Sequence, residues 1–341
     1  MQDKTIYYKV AEHVFSVEAS DAILSQMSNY APFVTDAVDT PTFSLAVLCD
    51  TDAPAYTEET RQEEEGQAII CGRTAEGLPT FDFWLFGKCA GILVCEKDFR
   101  KANLFIQQGR EIPTLVAMRT KEQSPKCCPP AGVYPGQRAG AGLTEKNTGM
   151  TEEGAQKVTH LDTFAVNNSL MVLYSLATAN LQTALFHAAV IRNKDRGYLF
   201  LGKSGTGKST HARLWLQYNE GSTLLNDDNP VVRLFKGDDG KISAKVYGSP
   251  WSGKTPCYRN EVVDVGGFVL LSQAPFNKIS RLKGVAAYAA LVPCISGMRW
   301  DKEIANGIHQ TENALASNVP VWYLECLPDE AAAKLCQETI A

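Results

Sequence analysis

Between residues 199 and 215 the chain reads LFLGKSGTGKSTHARLW, and Gly202, Gly207, Lys208 and Ser209 within it satisfy the spacing G-x-x-x-x-G-K-[ST]. Each residue type answers a need of phosphate chemistry. Glycines let the backbone wrap closely around a di- or triphosphate with its N–H groups turned inward, and a helix beginning at the end of the loop offers its positive pole. Lys208 can reach the β- and γ-phosphates, and the Ser209 hydroxyl can bind Mg2+. Gly202, Ser204, Gly205, Thr206, Gly207, Lys208, Ser209 and Thr210 form the expected nucleotide cradle. The run YLFL before the loop reads as a buried strand and STHARLWLQY after it as a helix, which is the setting the motif requires.

Phosphoryl transfer also needs a carboxylate to hold the metal or take a proton. The stretch STLLNDDNPVVRL supplies Asp227 and Asp228 after a short apolar strand, only 19 and 20 residues beyond Lys208. In most nucleotide hydrolases and motors the acidic motif comes much later, behind a full crossover. The L-S-G-G-Q element of transporter ATPases is missing too. This spacing points to a smaller phosphoryl-transfer class. An ordinary turn before Pro230 is the competing reading, because NDDNP has strong turn chemistry.

Taken in order, FHAAVI, GKSGTGKST and LLNDD resemble the HPr kinase/phosphorylase family, whose catalytic domain is related to the nucleotide-binding part of phosphoenolpyruvate carboxykinase. The match runs over roughly residues 185 to 235, and the two-part organisation resembles a branch of that family with a separate amino-terminal domain. The resemblance implies that Lys208 holds the phosphates and Ser209 the metal. It implies that Asp227 is the base toward an attacking hydroxyl, that Asp228 helps bind Mg2+, and that His187 sits beside the acidic pair in a catalytic role. A histidine in an apolar strand, read without the resemblance, is a core group. The family run E-x-R-G-x-G that goes with HPr recognition is replaced here by RNEVVDVGGFVLL, which lacks its arginine.

Other residues are weaker candidates. The loop YGSPWSGKTPCYRN (247–260), with Ser249, Ser252, Lys254 and Arg259 around Trp251, reads as a basic loop that closes over phosphates or receives an acceptor, or as a structural loop with Trp251 in the core. His211, one turn into the helix, reads as a solvated residue rather than a ligand. GDDG (237–240) reads as a hairpin turn, and nothing in the sequence selects Arg281 or Arg299 as a stabiliser of transferred charge.

The elements that must position these groups divide the 341 residues into two domains. Residues 1–123 are expected to form a β-rich accessory domain, with strands in TIYYKVAEHVFSVEA, TFSLAVLCD and FDFWLFGKCAGILVCEKDFRKANLFIQ and one helix near Ala22–Tyr30. Residues 124–156, rich in Pro, Gly and Thr, read as a flexible linker or insertion. Residues 157–341 are expected to form an α/β P-loop domain with a mixed sheet, of the phosphoenolpyruvate-carboxykinase-like type that the resemblance implies. It would open on a helix in HLDTFAVNNSLMVLYSLATAN, continue through strands in LFHAAVI, YLFLG, 223–225, 231–235, 242–247 and 268–271, and end in a helix from Asp329.

Composition bounds the partners. A hydrophobic share of 45%, a charged share of 21% and a net charge of −5 belong to a globular protein with no general electrostatic pull toward nucleic acid or an anionic membrane. The start MQDKTIYYKV lacks a basic segment followed by an apolar run, so the cytoplasm is the expected compartment. The ten cysteines show no C-x-x-C pair or matching histidine spacing, so reduced thiols are expected, with a redox role for vicinal Cys127 and Cys128 as the alternative.

The reading these features support is an ATP- and Mg2+-dependent kinase acting on a hydroxyl of a protein, peptide or small metabolite. Reversal by phosphate or pyrophosphate, a non-catalytic nucleotide-binding regulator and a homo-oligomeric state stay open. A carboxykinase acting on oxaloacetate is disfavoured, for want of a set of metal-binding lysine and histidine residues.

Overall fold

The structure, a computed structural model, describes residues 3–64, 66–106, 158–253 and 255–341. The linker or insertion expected over 124–156, the Cys127–Cys128 pair and Lys254 lie outside them. The fold is mixed α/β, with two nine-stranded sheets and few helices.

The first sheet is built from β1 (Lys4–Val10), β2 (His13–Ala19), β3 (Val34–Thr35), β4 (Phe43–Cys49), β5 (Tyr56–Glu64), β6 (Gln67–Thr74), β7 (Pro79–Leu85), β8 (Lys88–Cys95) and β9 (Lys101–Ile106). Its order is β3-β1-β2-β4-β9-β8-β7-β6-β5; β4 lies parallel to β2 and β9, and every other pairing is antiparallel. The helix expected near Ala22–Tyr30 is instead a single turn, α1 (Asp21–Leu24), followed by a 3-10 helix over Ser28–Phe33. Pro32 lies inside the 3-10 helix, where its missing N–H prevents an α-helix from continuing past Tyr30.

Helix α2 (His160–Ala177) opens on a capping box, with Thr159 and Asp162 exchanging hydrogen bonds. It packs on β4, β7, β8 and β9 of the first sheet and also touches β10 of the second. From Phe164 to Leu176 its side chains are buried on all sides, which explains a helix that is apolar around most of its circumference.

The second sheet contains β10 (Thr183–Leu185), β11 (Ala189–Asn193), β12 (Arg196–Leu201), β13 (Ser222–Asn226), β14 (Val231–Lys236), β15 (Ile242–Tyr247), β16 (Val262–Gln273), β17 (Lys278–Leu282) and β18 (Val321–Cys326). Its main path is β10-β14-β15-β16-β12-β11-β13, with β18 parallel to β16 and antiparallel to β17. The remaining helices are α3 (Lys208–Tyr218), α4 (Val285–Leu291), α5 (Lys302–Asn318) and α6 (Glu330–Ile340).

The run YLFL in β12 is apolar throughout because both faces of that strand are covered. Leu199 and Leu201 enter a large core that continues through α2 into the first sheet, while Tyr198 and Phe200 pack with Ala212 and Trp215 of α3 and with Ala333 and Cys336 of α6. One hydrophobic core therefore spans both halves of the chain.

Candidate functional site

Strand β12 ends at Leu201, and residues 202–207 turn the chain before α3 begins at Lys208. Gly205 and Gly207 have φ of 79° and 110°, a region that a Cβ disfavours. The loop is tied down by its own groups and by a neighbouring strand. Thr206 donates to the Lys203 carbonyl through its N–H at 3.2 Å and its hydroxyl at 2.7 Å, and Gln273 Nε2 donates to the Gly205 carbonyl at 3.3 Å. Gly207 occupies the N-cap of α3 without a side-chain acceptor, so the first-turn N–H groups are not taken by a cap.

Strand pairing gathers the other candidates. β11 lies between β12 and β13 and runs antiparallel to both, with Ala189 opposite Phe200 and Val190 opposite Asn226. The start of β11 therefore sits beside the ends of its two neighbours. His187 precedes β11, the glycine loop follows β12, and the acidic turn follows β13, so the sheet brings all three to one edge.

At that edge Lys208 is buried and makes three hydrogen bonds, to His187 Nε2 at 2.8 Å and to the carbonyls of Gly202 and Lys203 at 3.0 and 3.3 Å. An ammonium can only donate, so Nε2 of His187 accepts and a neutral ring carries its proton on Nδ1. Nδ1 lies 3.2 Å from Asp228 Oδ1. Burial pulls Lys208 below its ordinary value, opposed by the charges of Asp228, Asp227 and Glu64 and by Cys294. The His187 backbone is fixed as well, since its N–H donates to the Cys294 carbonyl at 2.7 Å and the next N–H, of Ala188, donates to the Asp228 carbonyl at 2.9 Å. Burial pushes the Cys294 thiol up to about 11, which makes it a poor nucleophile at neutral pH.

The acidic turn is rigidly built. Asp228 N–H donates to Asn226 Oδ1 at 2.9 Å, and Asn229 Nδ2 donates to Asp228 Oδ2 at 2.7 Å. Asp227 is 5% exposed, and its Oδ2 has no hydrogen-bond partner among the described residues. Gly253 lets the neighbouring loop approach this turn, because a Cβ there would stand 3.2 Å from Asp228 Cβ. Ser209 and Thr210 are half-buried on the first turn of α3, and Ser204 is exposed in the loop.

Two expectations are corrected. His211 is not solvated: it is 3% exposed, accepts from Trp215 Nε1 at 3.2 Å and stands edge-on to Phe200. The cause is that α3 turns His211, Ala212 and Trp215 together toward the sheet. The 247–260 loop is not a free basic lid over its first part: Trp251 is 1% exposed within the core, and Ser249 and Ser252 are buried and hydrogen-bonded. Arg281 stacks over Trp322 at 4.9 Å, and Arg299 is bound to buried Glu312.

Sequence reasoning passed over Asn226, Asn229, Gln273 and Cys294. The symmetrical N-D-D-N run was the available signal for the first two, since flanking amides can fix adjacent carboxylates. Among the described residues no group of three or more His, Cys, Asp or Glu gathers to hold a metal, and no helix is long and apolar enough to cross a membrane. Neither the models of known protein families nor the curated proteins contain a match to this chain.

Proposed function

We propose that the protein is an ATP- and Mg2+-dependent kinase that transfers a phosphoryl group to a hydroxyl of a protein, peptide or small metabolite. The observation that carries the reading is the meeting of Lys208 and Asp228 across His187, with a buried Asp227 oxygen beside them that lacks a partner. A buried carboxylate oxygen without a donor is costly, and a cation or an incoming hydroxyl would relieve it.

The chemistry of the donors supports Mg2+. Asp228 and the Ser209 hydroxyl are hard oxygen groups, and Mg2+ commonly takes one or two carboxylates together with phosphate oxygens and water. Bound there, Mg2+ would supply neutralisation of phosphate charge. The glycine loop would hold the phosphates through its N–H groups, with Lys208 turned toward them. Asp227 would take the proton of the attacking hydroxyl, and His187 would keep Lys208 and Asp228 in register. The phosphoenolpyruvate-carboxykinase-like identity of the second sheet belongs to the same reading, supported by the order His187, glycine loop, acidic pair, and a cytoplasmic location goes with it as the compartment that supplies ATP.

The test is incubation of the purified protein with γ-labelled ATP, Mg2+ and a host extract split into protein and small-molecule fractions. Label in one fraction, lost in Lys208→Ala and Asp227→Asn, supports the kinase and identifies the acceptor class. ATP binding that survives Asp227→Asn with no label in any fraction moves the protein to the regulatory class.

A further inference from the structure

We infer that the amino-terminal half of the chain positions the acidic turn, acting through Trp251. The strand loop that follows β15 is held by the first half at its entry, middle and exit. Tyr247 donates its hydroxyl to Glu12 Oε1 at 2.9 Å; Trp251 Nε1 donates to the Tyr30 hydroxyl at 2.8 Å and Asn29 Nδ2 to the Pro250 carbonyl at 2.9 Å; Asn260 Nδ2 donates to the Pro32 carbonyl at 3.0 Å. Tyr30 and Trp251 are both almost wholly buried, and Tyr174 of α2 packs edge-on to Trp251 with ring centres 5.2 Å apart.

The other side of the same residue grips the acidic turn. The Trp251 carbonyl accepts from Asn226 Nδ2 at 3.2 Å and from Asn229 N–H at 3.3 Å, and the Ser249 hydroxyl donates to the Asn229 carbonyl at 2.6 Å. Asn226 then uses its Oδ1 to hold Asp228 N–H at 2.9 Å. A continuous series of buried contacts thus leads from Tyr30 through Trp251 and Asn226 to the backbone of Asp228. The glycine loop is not gripped by Trp251 or Asn226: residues 202–207 are tied to Lys203 and Gln273, and the link to the acidic turn runs through the His187 side chain between Lys208 and Asp228. Tyr30, Trp251 and Asn226 are positioning residues: they set where the Asp227 and Asp228 carboxylates stand relative to the phosphate cradle.

The geometry of the turn is a property of the free protein, whereas its consequence for Mg2+ rests on the kinase reading, so two measurements separate them. Tyr30→Phe and Trp251→Phe remove the same hydrogen bond from opposite sides while keeping an aromatic ring in the core. In the full chain, hydrogen exchange at the amides of 226–229 should rise on the order of threefold to tenfold in either variant, with 202–208 unchanged, and the double variant should do no more than Trp251→Phe alone, which also removes indole volume from the core. Binding of Mg2+-ATP should weaken by a similar factor while binding of ATP in EDTA stays at the wild-type value. Unchanged exchange at 226–229, or a rise spread equally over 202–208, overturns the positioning role. The expected exchange pattern in a protein that binds no ATP upholds the positioning of the turn and removes the kinase reading instead.

Discussion

Lys208 Nζ lies 2.8 Å from His187 Nε2, and the far nitrogen of that ring lies 3.2 Å from Asp228 Oδ1. One imidazole thus separates the cation of the glycine loop from an anion of the acidic turn and fixes the distance between them. His187→Ala should free both partners. Loop N–H groups and the Lys208 charge remain, so the dissociation constant for ATP should change little, whereas kcat should fall on the order of 100-fold through loss of alignment. Separate measurement of ATP affinity and turnover checks this, and an equal loss in both would place His187 in binding instead.

Gly207 has φ of 110°, and a Cβ built there meets no atom within 4 Å. Space is therefore not the constraint; backbone conformation is. Gly207→Ala should cost about 1–2 kcal/mol of stability or force the loop to rearrange. Rearrangement turns the N–H groups of 207 and 208, so phosphate affinity should drop where the loop relaxes and stability alone should drop where it does not. Urea unfolding together with ATP titration checks both effects.

The path from β11 to β13 was legible in the sequence because its signals are local. YLFL is a short apolar run bounded by a hairpin turn and a glycine loop, and the NDDNP turn closes the next strand. What was not legible depends on distant partners. β5, YTEETRQEE, hides its strand character behind carboxylates because it is an edge strand facing solvent, where charge protects against pairing with another chain. Trp251 could be read as part of a basic loop or as core, and only Tyr30 and Tyr174, far away in sequence, decide for the core. His211 sits among Ser, Thr and Arg and so looks solvated, although α3 turns it against Phe200. The shared core is equally hidden, since α2 is apolar around most of its surface and nothing local says that both halves of the chain cover it.

Acid should destabilise the protein through two buried histidines. Burial lowers both His13 and His211 from 6.5 to about 4, with the charge of Arg233 adding to the effect at His13. Between those values the unfolded chain binds protons that the folded chain refuses, so this contribution is complete above about pH 6.5 and is lost as the pH falls toward 4. From pH 7 to pH 5 the loss should be roughly 2 kcal/mol for each histidine, as an order of magnitude. His211→Phe keeps an aromatic ring against Phe200 and should flatten the pH dependence by about half. Urea unfolding at the two pH values measures the slope, and an unchanged slope in the variant would mean that His211 titrates normally in the folded state.

Arg299 and Glu312 form a pair whose role is structural. Glu312 is fully buried, and its two oxygens accept from Arg299 Nη2 at 2.5 Å and from the Tyr288 hydroxyl at 2.8 Å; Arg299 Nη2 also donates to the Val292 carbonyl at 2.9 Å. These bonds join α4 and α5 to the segment that carries Cys294, whose carbonyl holds the His187 N–H. Removing Arg299 leaves the Glu312 charge unpaired in the interior, so Arg299→Ala should cost about 3 kcal/mol, whereas Glu312→Ala leaves a partly exposed guanidinium and should cost less. Replacing both by apolar residues of similar volume, Arg299→Met with Glu312→Leu, should recover most of that loss, because desolvation of the pair offsets much of its attraction. If Arg299 acted on the transferred phosphate instead, the double variant would fold with near-normal stability yet lose turnover. Thermal unfolding and turnover measured on all three variants distinguish the two roles, and the structural role requires that turnover return with stability.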